Sequence, residues 1–138
     1  MGTPRDPIAL KFFRVAKQRL GEADLILDRL GLSAVSVYLA GYAIEYGLKA
    51  LIVERTAPGK RGEVQRFLKD QIGHDLNGLR ECLVRRKVHI PARVSGTLLS
   101  ASTWSPALRY EPGLGDPREA SKFLNATKII VEWVERSV

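Results

Sequence analysis

YLAGYAIEYGLKALI, Tyr38–Ile52, is the stretch on which the reading of this chain turns. Ala40, Gly41, Ala43, Gly47 and Ala50 are small enough for neighbouring helices to approach closely, while Leu39, Ile44, Leu48, Leu51 and Ile52 supply apolar bulk. Tyr38, Tyr42, Glu45 and Lys49 follow one another in steps of 4, 3 and 4. That spacing stacks them as one polar-aromatic stripe on a helix. Glu45 precedes Lys49 in the favourable i,i+4 order. The stripe has two readings. Either Glu45 pairs with Lys49 and the tyrosines bond at the bundle rim, or the stripe faces a cleft and binds a ligand through Tyr42, Glu45 and Lys49.

The segment around it, Leu32 to Val53, is apolar enough to imitate a membrane span, since about 22 residues of helix reach roughly 33 Å. Glu45 and Lys49 inside it make insertion costly. A helix buried at the centre of a bundle fits the same composition, so no membrane partner is expected.

Working outward, Asp6-Pro7 reads as an N-cap with proline at the first helical position. A seam then runs Ala9, Phe13, Ala16, Leu20, Ala23, Leu27, Leu30. Its alternating steps of four and three place it on one face, and Gly31 reads as a C-cap. Ser33 is the expected cap of the central helix, and Pro58-Gly59 breaks the chain after it. A shorter amphipathic piece carries Val64, Phe67, Leu68 and Ile72, with Gly73 as its stop. Asp75 can cap a helix bearing Leu76, Leu79 and Leu83, and Pro91 opens one bearing Val94, Leu98 and Ala101. After a loop from Ser105 to Asp116, Asp116-Pro117 repeats the cap-plus-proline device, with Glu119 at the capping-box position. The last helix carries Ala120, Phe123, Thr127, Ile130 and Val134. No stretch alternates with period two between hairpin turns. The sequence therefore predicts an all-α fold: an antiparallel up-and-down helical bundle of four long helices plus one or two short ones, in a single domain over residues 1–138.

The chain has 138 residues and a net charge of +7, which favours an anionic partner without specifying one. Between Lys60 and Arg93, nine Lys/Arg face four Asp/Glu, so this segment holds +5 of that +7. Arg80, Arg85, Arg86 and Lys87 are the candidate basic patch. The alternative is a solvated face with cations placed at a helix C-terminus. Cys82 is the lone cysteine, which excludes an intramolecular disulfide and a thiolate zinc cluster. It lies among apolar neighbours, where an inert thiol is expected. Two distant histidines give no metal-ligand spacing, so neither metal nor cofactor is expected. The N-terminal MGTPRDP carries no apolar h-region, and a cytoplasmic location is the expectation.

In order, these pieces resemble the HEPN family (higher eukaryote and prokaryote nucleotide-binding domain). RLGEADLIL (Arg19–Leu27) lies on a long first helix and YLAGYAIEYGLKALI follows it. Gly73-His74-Asp75-Leu76 then reads like the family's GHDL-type helix start. Trp104 precedes Arg109-Tyr110, and the chain ends on IIVEWVERS. The resemblance implies a helical bundle that forms a homodimer, often paired with a minimal nucleotidyltransferase protein in a toxin–antitoxin or stress-response system. It also implies binding of nucleotide or RNA. Many relatives are metal-independent ribonucleases whose motif is an arginine followed, after four to six residues, by histidine. Here Lys69, Leu68 and Phe67 occupy the arginine positions before His74, and Val84, Leu83 and Cys82 those before His89. Arg66 is too far and Arg85 too close. That departure argues against RNA cleavage and leaves His74 and Arg109 as weak catalytic candidates. Arg109 suits a phosphate and Tyr110 can stack on a base, so both join Tyr42, Glu45 and Lys49 as candidate ligand contacts. The purely structural alternative is an interaction domain with no ligand.

Overall fold

In the computed structural model, which describes residues 2–107 and 115–138, six α-helices form the expected all-α bundle. They are α1 (Pro7–Leu30), α2 (Ser33–Glu54), α3 (Arg61–Phe67), α4 (Leu76–Arg85), α5 (Ala92–Ala101) and α6 (Pro117–Ser137). The helix length is concentrated in α1, α2 and α6, with 24, 22 and 21 residues; α4 and α5 have ten each. Among the described residues there is no strand.

α1 starts where the sequence places it. The Asp6 carboxylate accepts from the N–H groups of Ile8 and Ala9 at 2.9 and 3.0 Å, and Pro7 needs no partner there. It ends at Gly31, whose φ of +63° is open to glycine and whose N–H reaches the Leu27 carbonyl at 3.1 Å. Two residues connect α1 to α2, so the pair is an antiparallel hairpin. The α1 seam closes within the chain: Ala9, Phe13, Ala16 and Ala23 are buried, while Leu30 at its far end is 67% exposed.

Ser33 does not cap α2. The cap position is Leu32, and Ser33 is already the first helical residue, so its hydroxyl cannot reach back over the first turn. Its buried Oγ has no partner among the described residues. Ser36, one turn on, donates instead to the Ala23 carbonyl of α1 at 2.8 Å.

α2 is the central rod. Fourteen of its 22 residues are buried, on every side, which is the signature of a helix surrounded by others. α1, α4 and α6 pack around it, and Ile44, Leu48, Leu51 and Ile52 are fully buried. Each such side chain contributes roughly 1.5–3 kcal/mol by leaving water. Its C-terminal carbonyls are collected by Arg61, which the sequence reading missed. Arg61 donates to the carbonyls of Val53 (3.1 Å), Thr56 (3.0 Å) and Glu54 (3.2 Å), and to the Asp6 carboxylate (3.2 Å). A cation there also complements the helix dipole.

After the break at Pro58-Gly59, α3 runs into one wide π turn over Leu68–Ile72. The Gly73 N–H closes it on the Leu68 carbonyl, five residues back, at 2.8 Å. Leu68 is buried and Phe67 is turned outward. Gly73, at φ +57°, stops the helix as expected. Asp75 then caps α4 by accepting from the Gly78 N–H at 3.0 Å. α5 buries Val94, Leu98 and Ala101, the three positions in register. At α6 the Asp116 carboxylate accepts from the Arg118 N–H, and the described partner of Glu119 is Lys122.

Candidate functional site

The side of α2 turned away from α1 carries the polar stripe. Glu45 is at its centre and is 0% exposed. Burial of a lone carboxylate is prohibitively costly, so its oxygens must be occupied. One turn along, the Lys49 ammonium donates to Oε2 at 2.8 Å. The pairing read from the sequence is present, but it accounts for only one oxygen. The other, Oε1, lies 2.7 Å from Nδ1 of His74, which comes from the turn before α4. A carboxylate only accepts, so Nδ1 carries the proton in this contact and Nε2 lies on the outward side of the ring.

Local structure puts His74 there. Gly73 turns the chain in a positive-φ conformation and Asp75 begins α4, leaving the residue between them to reach α2. Asp75 caps α4, whereas His74 bonds across the bundle to a residue 29 positions away. The His74 side chain is 52% exposed, so the buried carboxylate holds a half-exposed imidazole.

Aromatic rings frame the pair. Tyr42 meets His74 edge-to-face at 5.8 Å between centroids and Trp104 at 5.3 Å. It also meets Tyr38 edge-to-face and lies roughly parallel to Tyr46. Lys49 Nζ sits 5.4 Å from the Tyr46 ring centroid. Trp104, beyond the end of α5, is buried, and its indole rests directly on Gly41. A Cβ at Gly41 would fall inside the indole, so only glycine fits. The Trp104 Nε1 is buried without a partner among the described residues.

His74, Asp75 and the chain from Ser102 to Ala107 line a cavity of about 490 Å³. A larger groove of about 840 Å³ lies between α5 and α6, with Thr97, Ala101, Phe123 and Ile129 in its walls. Thr103 and Trp104 border both. The smaller cavity is the one that contains the oriented imidazole, and it is therefore the candidate site.

The remaining sequence candidates are dispersed. Arg109 and Tyr110 lie outside the described residues. The basic patch runs from Arg80, in the middle of α4, to Lys87 in the turn after it, whereas His74 precedes the start of that helix. The ten residues of α4 place its cationic end, Arg85 to Lys87, about 15 Å from His74. Arg86 is used internally: Nε donates to the Thr56 hydroxyl and Nη1 to the Cys82 carbonyl, both at 3.1 Å. Arg80 bonds Asn77, and Arg85 lies 4.0 Å from Glu81. Lys87 is exposed, in a left-handed conformation (φ +60°), while the N–H groups of Lys87 and Val88 close the end of α4 on the carbonyls of Val84 and Leu83.

The acidities of Tyr46 and Cys82 are shifted. Burial raises the Tyr46 phenol, the Glu45 charge raises it further, and Arg19 partly offsets both. Burial also raises the Cys82 thiol, with Arg86 and Arg85 pulling the other way. A protonated, buried thiol is a poor nucleophile. Among the described residues no three His, Cys, Asp or Glu side chains gather as metal ligands, and no helix is long and apolar enough to cross a membrane.

Comparison with known proteins adds one finding at family level. The sequence profile described as the HEPN domain matches residues 9–137, nearly the whole bundle. No curated protein and no solved structure was found to match.

Proposed function

Because the chain belongs to the HEPN domain family, we propose that it binds a nucleotide or RNA phosphate at the cavity over His74. The observation that carries this reading is the Glu45–His74 pair. A fully buried carboxylate presents an imidazole to an open cavity whose opposite wall includes Trp104. Family membership makes the ligand nucleotide- or RNA-related, and the +7 charge of the chain favours an anion.

The wider role follows the resemblance: a cytoplasmic homodimer beside a minimal nucleotidyltransferase, in a toxin–antitoxin or stress-response pair. The buried seam residues of α1, Ala9, Phe13, Ala16 and Ala23, are used within the chain and give no support to dimerisation. The apolar residues left exposed around the α1–α2 turn, Leu25, Leu30, Leu32 and Val35, do support it. Sedimentation at micromolar concentration tests this part, and a strict monomer overturns it.

Binding is tested by titrating short single-stranded RNA at two salt concentrations. The expected result is an affinity that weakens as salt rises, because phosphate contacts release counterions, and that falls on changing His74 to alanine. One observation favours a second reading, a divergent metal-independent ribonuclease: a carboxylate-oriented imidazole is an arrangement suited to general acid–base work. Incubation with RNA in the presence of a chelator separates the two. Cleavage that disappears in His74→Ala makes the chain an enzyme; intact RNA with retained binding keeps it a binding module.

A further inference from the structure

We infer that binding at this site is linked to a proton: the ligand is a phosphodiester held by the imidazolium form of His74, and it is released as Nε2 loses that proton. This rests on the proposed phosphate binding and adds the contact atom and the proton that travels with the ligand.

The charges around His74 lead to it. From α2 it faces Glu45, whose charge is matched by Lys49, and the ring of Tyr42. In its own turn it adjoins Asp75, whose carboxylate caps α4. Among the described residues the opposite wall, Ser102 to Ala107, has no ionisable side chain. With a neutral imidazole these groups sum to one negative charge. The bond from Nδ1–H to Glu45 then fixes the tautomer and leaves a lone pair at Nε2. A lone pair beside net negative charge repels a phosphate oxygen. Protonation cancels the charge and converts Nε2 into an N–H donor, which forms a short, charge-assisted bond to phosphate. Glu45 is therefore a positioning residue: it decides which nitrogen stays bound inside and which one meets the ligand. The opposite ligand chemistry, an exocyclic amino group of a base, would bind the neutral ring and show the reverse pH dependence.

The test uses a short 2′-O-methylated oligouridylate with hydroxyl ends. It cannot be cleaved through the 2′ position, and its diesters keep the same charge near neutrality. Calorimetry at about pH 6 and about pH 8, within the range where histidine changes charge, in buffers of unlike ionisation enthalpy, reads affinity and proton uptake together. The expected result is affinity that falls with pH by up to about tenfold per unit, with close to one proton taken up per ligand at the higher pH. His74→Lys, a permanent cation at an exposed position, is expected to bind without pH dependence or proton uptake. His74→Gln loses the linkage, and His89→Gln retains it. Equal affinity at both values without proton uptake overturns the inference while leaving phosphate binding intact. Affinity that rises with pH, or a linkage that survives His74→Gln, overturns it as well. Absence of binding at both values overturns the functional reading itself and the inference with it.

Discussion

Toward α1, α2 presents Ser36, Ala40 and Gly47, and the two helices close on each other with little between them. On its other side it presents Gly41, Tyr42, Glu45 and Lys49, and there it buries a carboxylate, an ammonium and the seat of an indole. Both surfaces are inside the bundle and both contain a glycine, yet they are governed by different physics. The first gains from close packing and from the loss of apolar surface to water. The second must satisfy every charge it buries, and an apolar pair of similar volume would be as stable or more so. A face that carries this cost without a stability return is the face on which function is to be sought.

The largest effect expected is at Glu45. Glu45→Ala leaves Lys49 buried without its partner and is expected to cost about 3–5 kcal/mol, read by denaturant unfolding. The double variant Glu45→Leu, Lys49→Met is expected to recover most of that loss. If the single variant costs less than about 1 kcal/mol, the pair is effectively solvated and the contrast between the two faces collapses.

The glycines sharpen the same contrast. Gly41→Ala forces Trp104 off its seat, and a loss of about 2–4 kcal/mol is expected, outweighing the gain in helix propensity. Gly47→Ala meets only Val134 and Ala16, at 3.7 and 3.9 Å, which is ordinary contact. It is expected to be neutral or to stabilise by up to about 1 kcal/mol. Thermal melts of the two variants with opposite signs support the account; equal losses contradict it.

The smallest effect near neutrality is acid–base. Tyr46 and Cys82 titrate above their usual values of 10.0 and 9.0. Below those values both are protonated in the folded and unfolded chains, so neither affects stability at pH 7. As pH rises past them the unfolded chain loses its protons first, so stability falls through the alkaline range. Unfolding followed from pH 8 to 11 is expected to show that decline, and Tyr46→Phe is expected to lessen it.

Much of this was legible in the residues. Asp6, Asp75 and Asp116 cap the helices that the sequence assigns them, Gly31 and Gly73 end theirs, and Ala9, Phe13, Ala16 and Ala23 of the α1 seam and the small residues of α2 are buried as their spacing implies, whereas Leu30 at the end of the seam is exposed. The Tyr42, Glu45 and Lys49 stripe was legible as well, because a helix repeats every three or four positions. The partner of Glu45 was not. His74 arrives through a π turn and a positive-φ glycine, and no local periodicity reports where such a turn aims a side chain. Gly41 reads in the sequence as a general small residue; its specific need is the indole of Trp104, visible only once the chain beyond α5 is folded onto α2. Arg86 shows the converse error. Within a run of cations it read as part of a surface patch, and its guanidinium is spent on Thr56 and Cys82. Charge counted along a chain does not distinguish a solvated cation from one that closes a helix end.

The most direct test of the central claim, that buried Glu45 orients His74 toward a phosphate ligand, is the ¹⁵N spectrum of the His74 ring with and without the 2′-O-methylated oligouridylate. The account predicts a proton on Nδ1 in the free neutral protein, and a change of the Nε2 signal from unprotonated to protonated when the ligand binds. A neutral ring protonated at Nε2, or ring signals that do not move when ligand binds, would contradict it.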